Sequence, residues 1–366
     1  MTIANSKFQA PNPKQIQMSK IQNSKQSSRP APAFWNLCLR FGICLGFGIW
    51  CLGFTASQPD SQTRPAVLVV VGAPGAPEYA AQFSAWAKLW EQACAKGGAT
   101  FTAVGLDEPG AASDLARVQQ ILTSHSEETS AALWLVLIGH GTFDGRTPKF
   151  NLRGPDLSAR DLAAWVKPVR RPLAVIDATS SSAPFLKELS APGRIIITAT
   201  KSGFEQNYTR FGQYLAESIA DPKADLDKDG QSSLLEAFLS ASHAVVQFYA
   251  GAGRLATEHA LLDDNGDGLG TPAEWFRGIR PVQKASDGAA LDGYRAHQLH
   301  LLPSASEAVM PAELRARRDR LELQVMELRD GKAKYSEQEY FSQLEPLLRE
   351  IAQIYEQVDK SGSTNK

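Results

Sequence analysis

Five short, almost wholly apolar runs lie between residues 64 and 219 of this 366-residue chain. They read AVLVVVGA (66–73), TFTAVG (100–105), ALWLVLIGHG (132–141), LAVID (173–177) and RIIITAT (194–200). The first, all apolar, suits a strand covered on both faces, as in a parallel sheet. Between them lie segments with helical spacing: residues 78–96, with Phe83, Trp86, Leu89, Trp90 and Ala93, then 114–124, 158–166, 183–189 and 210–219. Strand–helix alternation predicts an α/β fold, an open and mostly parallel sheet with right-handed crossovers and helices on both faces. Functional groups in such a sheet collect at the carboxyl ends of its strands.

Beyond Ile219 the alternation gives way to two acidic, glycine-containing loops separated by a helix over 234–249. The first, DLDKDGQSSLLE, puts Asp225, Asp227 and Asp229 at positions one, three and five, Gly230 at six and Glu236 at twelve. This is the EF-hand calcium-loop pattern. Calcium is a hard ion that takes six to eight oxygens. Alternate residues of a tight loop can aim three carboxylates inward, the Gln231 carbonyl adds a ligand, Ser233 can hold a water, and Glu236 closes the shell with two oxygens. The second loop, DDNGDGLGTPAE, repeats the pattern with Asp263, Asn265, Asp267, the Leu269 carbonyl and Glu274. At position eight stand Ser232 and Gly270, where Ile, Leu or Val is common, which weakens the case for strand pairing between the loops. Pro272 makes the exit from the second loop unusual. The expected cofactor is Ca2+, in a structural role.

The strongest apolar run ends in LVLIGHG, which sets the His140 imidazole at the carboxyl edge of the sheet; Gly141 is expected to let the chain turn away and leave N–H groups exposed. The next run ends in LAVIDATSSS, with Thr179, Ser180, Ser181 and Ser182. The remaining histidines, His125, His243, His259, His297 and His300, fall on helical or irregular polar segments and read as surface residues.

IGHGTFDG (138–145), VIDATSSS (175–182) and RIIITATKSGFEQN (194–207), in that order over about Ala66 to Ile219, resemble the caspase-like (caspase–haemoglobinase) peptidases, particularly the legumain-like and metacaspase-like branches. The resemblance implies a caspase-like sheet in which His140 works with a nucleophile at the end of the next strand. Thr179 falls where the family has cysteine, and 194–207 falls on the loop that shapes the substrate pocket. That mechanism needs a thiolate paired with imidazole. Cys94, within LWEQACAK, is expected to pack in the core and cannot substitute. No acid for a Ser-His-Asp triad is identifiable, although Asp177 and Asp144 are near in sequence, and there is no GxSxG elbow. Two functions compete: a calcium-binding pseudopeptidase that binds a peptide or protein, and a calcium-stabilised hydrolase using His140 with Thr179, Ser180 or a neighbouring serine. A third reading is a membrane-tethered assembly protein, with the leader attached and the tail pairing between chains; an unrelated doubly wound fold with a structural His140 is the alternative to the resemblance itself.

Residues 1–57 carry six Lys/Arg and no acid, which leaves 32 basic and 39 acidic residues in 58–366, a net of −7. An acidic body argues against a nucleic-acid partner. The basic start runs into FGICLGFGIWCLGF (41–54) and then small residues, the layout of a secretory signal. Its 14-residue core is short for a membrane span of about 20 residues. The expected localisation is secreted or periplasmic, or membrane-anchored with the body outside the cytoplasm if the segment is uncleaved. Three of the four cysteines lie in this leader, so the body has no internal disulfide to make.

The tail is helical. Pro311 suits a first turn, Asp330-Gly331 an end, and Ser336-x-x-Glu339 a capping box. Phe341, Leu344, Leu348, Ile351, Tyr355 and Val358 form a seam for one partner helix, in the same chain or in a homodimer; Pro346 is expected to bend this helix or delay its start. The organisation expected is a leader (1–57), an α/β domain (58–222), paired calcium loops (223–280), an irregular connection (281–310) and a helical hairpin (311–366).

Overall fold

The computed structural model describes residues 64–363, except 109, 128 and 287–289. The leader lies outside the described residues. Among the described residues the strands are β1 (Ala66–Val71), β2 (Thr100–Val104), β3 (Leu133–Ile138), β4 (Gly141–Phe143), β5 (Pro148–Phe150), β6 (Leu157–Ser158), β7 (Leu173–Asp177), β8 (Arg194–Thr198), β9 (Leu261–Asp263), β10 (Thr271–Pro272), β11 (Phe276–Arg277) and β12 (Arg280–Pro281). The helices are α1 (Pro77–Gly97), α2 (Asp114–Ser124), α3 (Ala159–Val166), α4 (Ala183–Leu189), α5 (Phe211–Ser218), α6 (Leu234–Gly251), α7 (Tyr294–Gln298), α8 (Ala305–Val309), α9 (Ala312–Asp330) and α10 (Glu337–Ser363).

The main sheet has seven strands in the order β10-β9-β8-β7-β3-β1-β2. All five apolar runs pair in parallel, and β9 and β10 extend the sheet antiparallel. Each strand divides its apolar residues between two layers, because successive side chains point to opposite faces. Val67, Val69, Trp134, Val136, Ile176 and Ile197 meet α1, α5 and α6 on one face. Leu68, Val70, Leu135, Leu137, Val175 and Ile196 meet α2, α3 and α4 on the other. Helix starts follow the sequence: Ser113 and Ser158 each accept a backbone N–H at the head of α2 and α3, and Ser233 with Glu236 forms a capping box at the head of α6. Cys94 is buried in the core, and burial pushes its thiol up to about 12.

Three expectations change. The boundary at 222 falls inside one compact unit: α6 packs on α5, and β9 joins the edge of the sheet at β8. The acidic loops do not form a pair of helix–loop–helix units. The first leads into α6, but the second is the turn of the β9–β10 hairpin, because LLD (261–263) is drawn onto the open edge of β8. Strand pairing between the loops, already doubtful from Ser232 and Gly270, is not among the strand pairs of the described residues, and Ser233 instead bridges to His300. Finally, α10 runs through Pro346 without a delayed start, capped by Ser336 and Glu339. α10 packs on α9, and along it Tyr340, Ile354 and Val358 are buried while Phe341, Leu348 and Tyr355 stay exposed. The face used is therefore rotated from the expected seam. No helix of the described residues is long and apolar enough to cross a membrane.

Candidate functional site

β3 and β7 are adjacent and parallel, so His140 and the hydroxyl cluster reach the same carboxyl edge. The chains leaving the two strands then touch. A Cβ on Gly141 would lie 2.2 Å from the Ser180 carbonyl oxygen and 2.6 Å from Thr179 Oγ1. Glycine is thus required here for close approach, not for turning away. The Gly141 N–H is not left exposed: it donates to Ser180 Oγ at 3.3 Å, and that hydroxyl donates back to the Gly141 carbonyl at 3.1 Å.

His140 is half-buried among aromatic rings. Tyr79 meets it edge-on with centroids 4.8 Å apart, Phe83 lies at 5.3 Å and Tyr208 at 6.3 Å. Its Nε2 is 3.2 Å from the Pro74 carbonyl. A carbonyl only accepts, so Nε2 is the donor in this contact, and in the neutral ring the lone pair lies on Nδ1. Among the described residues, no hydroxyl hydrogen-bonds to Nδ1.

The hydroxyls are engaged elsewhere. Thr179 is fully buried, and its Oγ1 donates to Asp177 Oδ1 at 2.6 Å. The Thr179 N–H donates to the same oxygen at 3.1 Å, while Asp177 Oδ2 has no partner. Burial pushes the Asp177 carboxyl up to about 7, against the lowering effect of the two Thr179 bonds. Ser182 pairs with Thr200 Oγ1 at 3.1 Å. Ser181 has φ +56°, donates its N–H to the Glu205 carbonyl and buries an unpartnered Oγ. Left-handed backbone at a non-glycine residue is held by its surroundings. Asp144 Oδ1 accepts the Arg146 and Thr147 N–H groups in the β4–β5 turn, and among the described residues no hydrogen bond joins Asp144 to His140.

The first acidic loop is built differently. Carboxylate oxygens of Asp225, Asp227 and Asp229 lie within 4.8 Å of one another, on a surface-facing turn. The backbone sets them: Asp225 accepts the Lys228 and Gly230 N–H groups, Asp227 that of Asp229, and Asp229 that of Gln231. Gly230 has φ +91°, the conformation glycine supplies cheaply. Three convergent hard oxygen donors fit a divalent cation such as calcium. Glu236 is buried and ties the loop from behind: Oε1 accepts the Leu226 and Asp227 N–H groups, and Oε2 accepts the Ser233 N–H and hydroxyl. Asp227 Oδ2 also meets His297 Nε2 at 3.0 Å. The Gln231 side chain accepts the Ser304 N–H.

The second loop repeats the same ladder, with Asp263 accepting Gly266 and Gly268, Asn265 accepting Asp267, and Asp267 accepting Leu269. Here Glu274 is exposed and lines a groove of about 620 Å³ beside α6 instead of facing Asp263. A buried carboxyl pair behind the loop, Asp264 and Asp292, accepts backbone N–H groups and fixes its position; burial raises both.

Several participants were missed in the sequence. Tyr79 continues the α1 face of Phe83, Trp86 and Trp90 by one more turn, a signal that was available. His259 pairs with Glu205 at 2.6 Å, and His297 contacts the first loop. Neither is the free surface histidine expected, and both contacts span more than fifty residues, so local pattern could not reveal them.

No family model matches the chain, and no curated protein matches it. Solved structures similar to it include the crystal structure of the Drosophila initiator caspase Dronc, with a TM-score of 0.38 and 16% identity, covering 55% of this chain and 80% of that one. Caspase-1 from Spodoptera frugiperda gives a TM-score of 0.37 and 8% identity, covering 56% of this chain and 87% of that one.

Proposed function

We propose that this chain is an exported, calcium-binding, caspase-like domain without peptidase activity that binds a peptide or protein partner. One observation carries the reading: at the place of the family's nucleophile, the Thr179 hydroxyl is buried and donated to Asp177 instead of facing His140. A nucleophile needs its base within hydrogen-bond reach and a path to substrate. Thr179 has neither, and the Ser180 hydroxyl is engaged by Gly141. The adjacency of β3 and β7 supports descent from a working His–nucleophile pair.

Calcium belongs to the same reading. Asp225, Asp227, Asp229 and the Gln231 carbonyl would hold one ion, with Glu236 fixing the loop behind them; Asp263, Asn265, Asp267 and the Leu269 carbonyl would hold a second, without Glu274. Bound calcium supplies cross-linking charge that keeps the loops closed, and the protein's own N–H ladder presets the carboxylates. The leader supports export, where calcium is plentiful enough to fill weak sites.

The test uses purified protein with calcium, a diverse peptide library and mass spectrometry, with His140→Ala in parallel. No cleavage above the variant's background is expected. Cleavage that disappears in the variant would establish a hydrolase instead. Calcium titration followed by thermal unfolding tests the metal half, and a melting temperature indifferent to calcium would sink it.

A further inference from the structure

Helix α10 carries two apolar faces. One lies against α9 through Tyr340, Ile354 and Val358. The other is a stripe of Phe341, Leu348 and Tyr355, which are 51%, 46% and 44% exposed. These three sit seven residues apart, so they line one side of the helix with only about 20° of drift per heptad. The stripe spans about 21 Å at 1.5 Å per residue.

We propose that this stripe is a homodimer interface, in which α10 of a second copy packs antiparallel on α10 of the first. The pattern is self-complementary about Leu348. In an antiparallel pair centred there, position 348+n faces 348−n of the partner copy. Leu348 then meets its own counterpart, and Phe341 meets Tyr355 of the other copy, twice. An isologous two-fold contact places the same patch of both copies face to face, and this even spacing satisfies it.

The charges beside the stripe obey the same symmetry. Glu345 and Arg349 flank Leu348 on one side and pair with each other at 2.5 Å, both about two-thirds exposed. Across the two-fold axis, the second copy's Glu345 comes level with position 351, two residues or about 3 Å along the helix from Arg349. Both copies present this pair on the same side of the interface. The intrachain ion pairs can therefore exchange for two interchain pairs with no charge left unmatched. Pro346 lies on the far side of α10 from the stripe and does not obstruct the approach. The inference is independent of the calcium and peptidase readings.

The test is sedimentation equilibrium of the full chain over a range of concentrations. Wild type is expected to approach twice the chain mass as concentration rises. Leu348→Glu is expected to remain at the single-chain mass with an unchanged melting temperature. Phe341→Lys is expected to weaken association at least tenfold, and Phe341→Lys with Tyr355→Glu to restore it, because those positions face each other only in the antiparallel register. Leu348→Cys is expected to give a disulfide joining position 348 of two copies on peptide mapping. A single-chain mass at every concentration overturns the proposal. So does a dimer that survives Leu348→Glu, or a double variant no better than Phe341→Lys alone.

Discussion

The strand-end cluster and the first acidic loop both concentrate polar side chains, but they satisfy them in opposite directions. At the strand end, Thr179, Ser180 and Ser182 turn their hydroxyls into the protein, onto Asp177, Gly141 and Thr200. In the loop, Asp225, Asp227 and Asp229 take backbone N–H groups on some oxygens and still gather others at the surface. The first arrangement is a closed packing solution. The second leaves carboxylate oxygens gathered at the surface, where calcium is proposed to bind. Residue type alone does not separate them; the location of the partners does.

Changes at each site should expose that contrast, and the largest effect belongs to the packed one. Gly141→Ala forces a Cβ to within 2.2 Å of a backbone carbonyl and should destabilise by about 3 kcal/mol or more, read by denaturant unfolding. Gly230→Ala meets no atom within 4 Å and strains only a positive φ, so about 1 kcal/mol is expected. Equal losses would erase the distinction.

Calcium should separate the two loops. At a hundredfold excess over its dissociation constant, one bound ion stabilises by about 2.7 kcal/mol. Asp229→Asn is expected to remove most of the calcium-induced rise in melting temperature, and Asp267→Asn a smaller part, because Glu274 faces the groove rather than its loop. The reverse order would mean that the second loop is the tighter site.

Thr179→Val should cost about 1–3 kcal/mol by leaving Asp177 with one donor fewer in a buried site. Asp177 itself should tilt the pH dependence. Its folded value of about 7 is above the ordinary carboxylate value, so between about pH 4 and 7 the folded state binds more protons than the unfolded one. Its contribution is fully present below pH 4 and lost as pH rises through 7. Asp177→Asn should flatten the stability–pH curve by up to about 1.4 kcal/mol per pH unit in that window. An unchanged slope would show that the carboxyl titrates normally.

The parallel strands and most of the helix ends were legible in the sequence, because unbroken apolar runs and Ser/Thr caps act locally. The setting of the second loop was not: a three-residue strand, LLD, carries too little periodicity, and only the open edge of β8 decides its fate. The used face of α10 was misread because α10 is apolar on two adjacent stripes, and the choice belongs to α9. At the candidate site, position 179 drew notice in the sequence, whereas the partner of its hydroxyl was overlooked. Asp177 lies only two residues away, on the side of the strand end that Thr179 shares, and a D-x-T at a strand terminus is a signal for such a bond.

The most direct measurement is a pair of double-mutant cycles on unfolding free energy, combining Thr179→Val with Asp177→Ala and, separately, with His140→Ala. If the Thr179 hydroxyl belongs to Asp177, the first cycle should give a coupling of about 1 kcal/mol or more, and the second should be additive within about 0.3–0.5 kcal/mol. Strong coupling to His140 with none to Asp177 would contradict the account and return Thr179 to the role of a nucleophile.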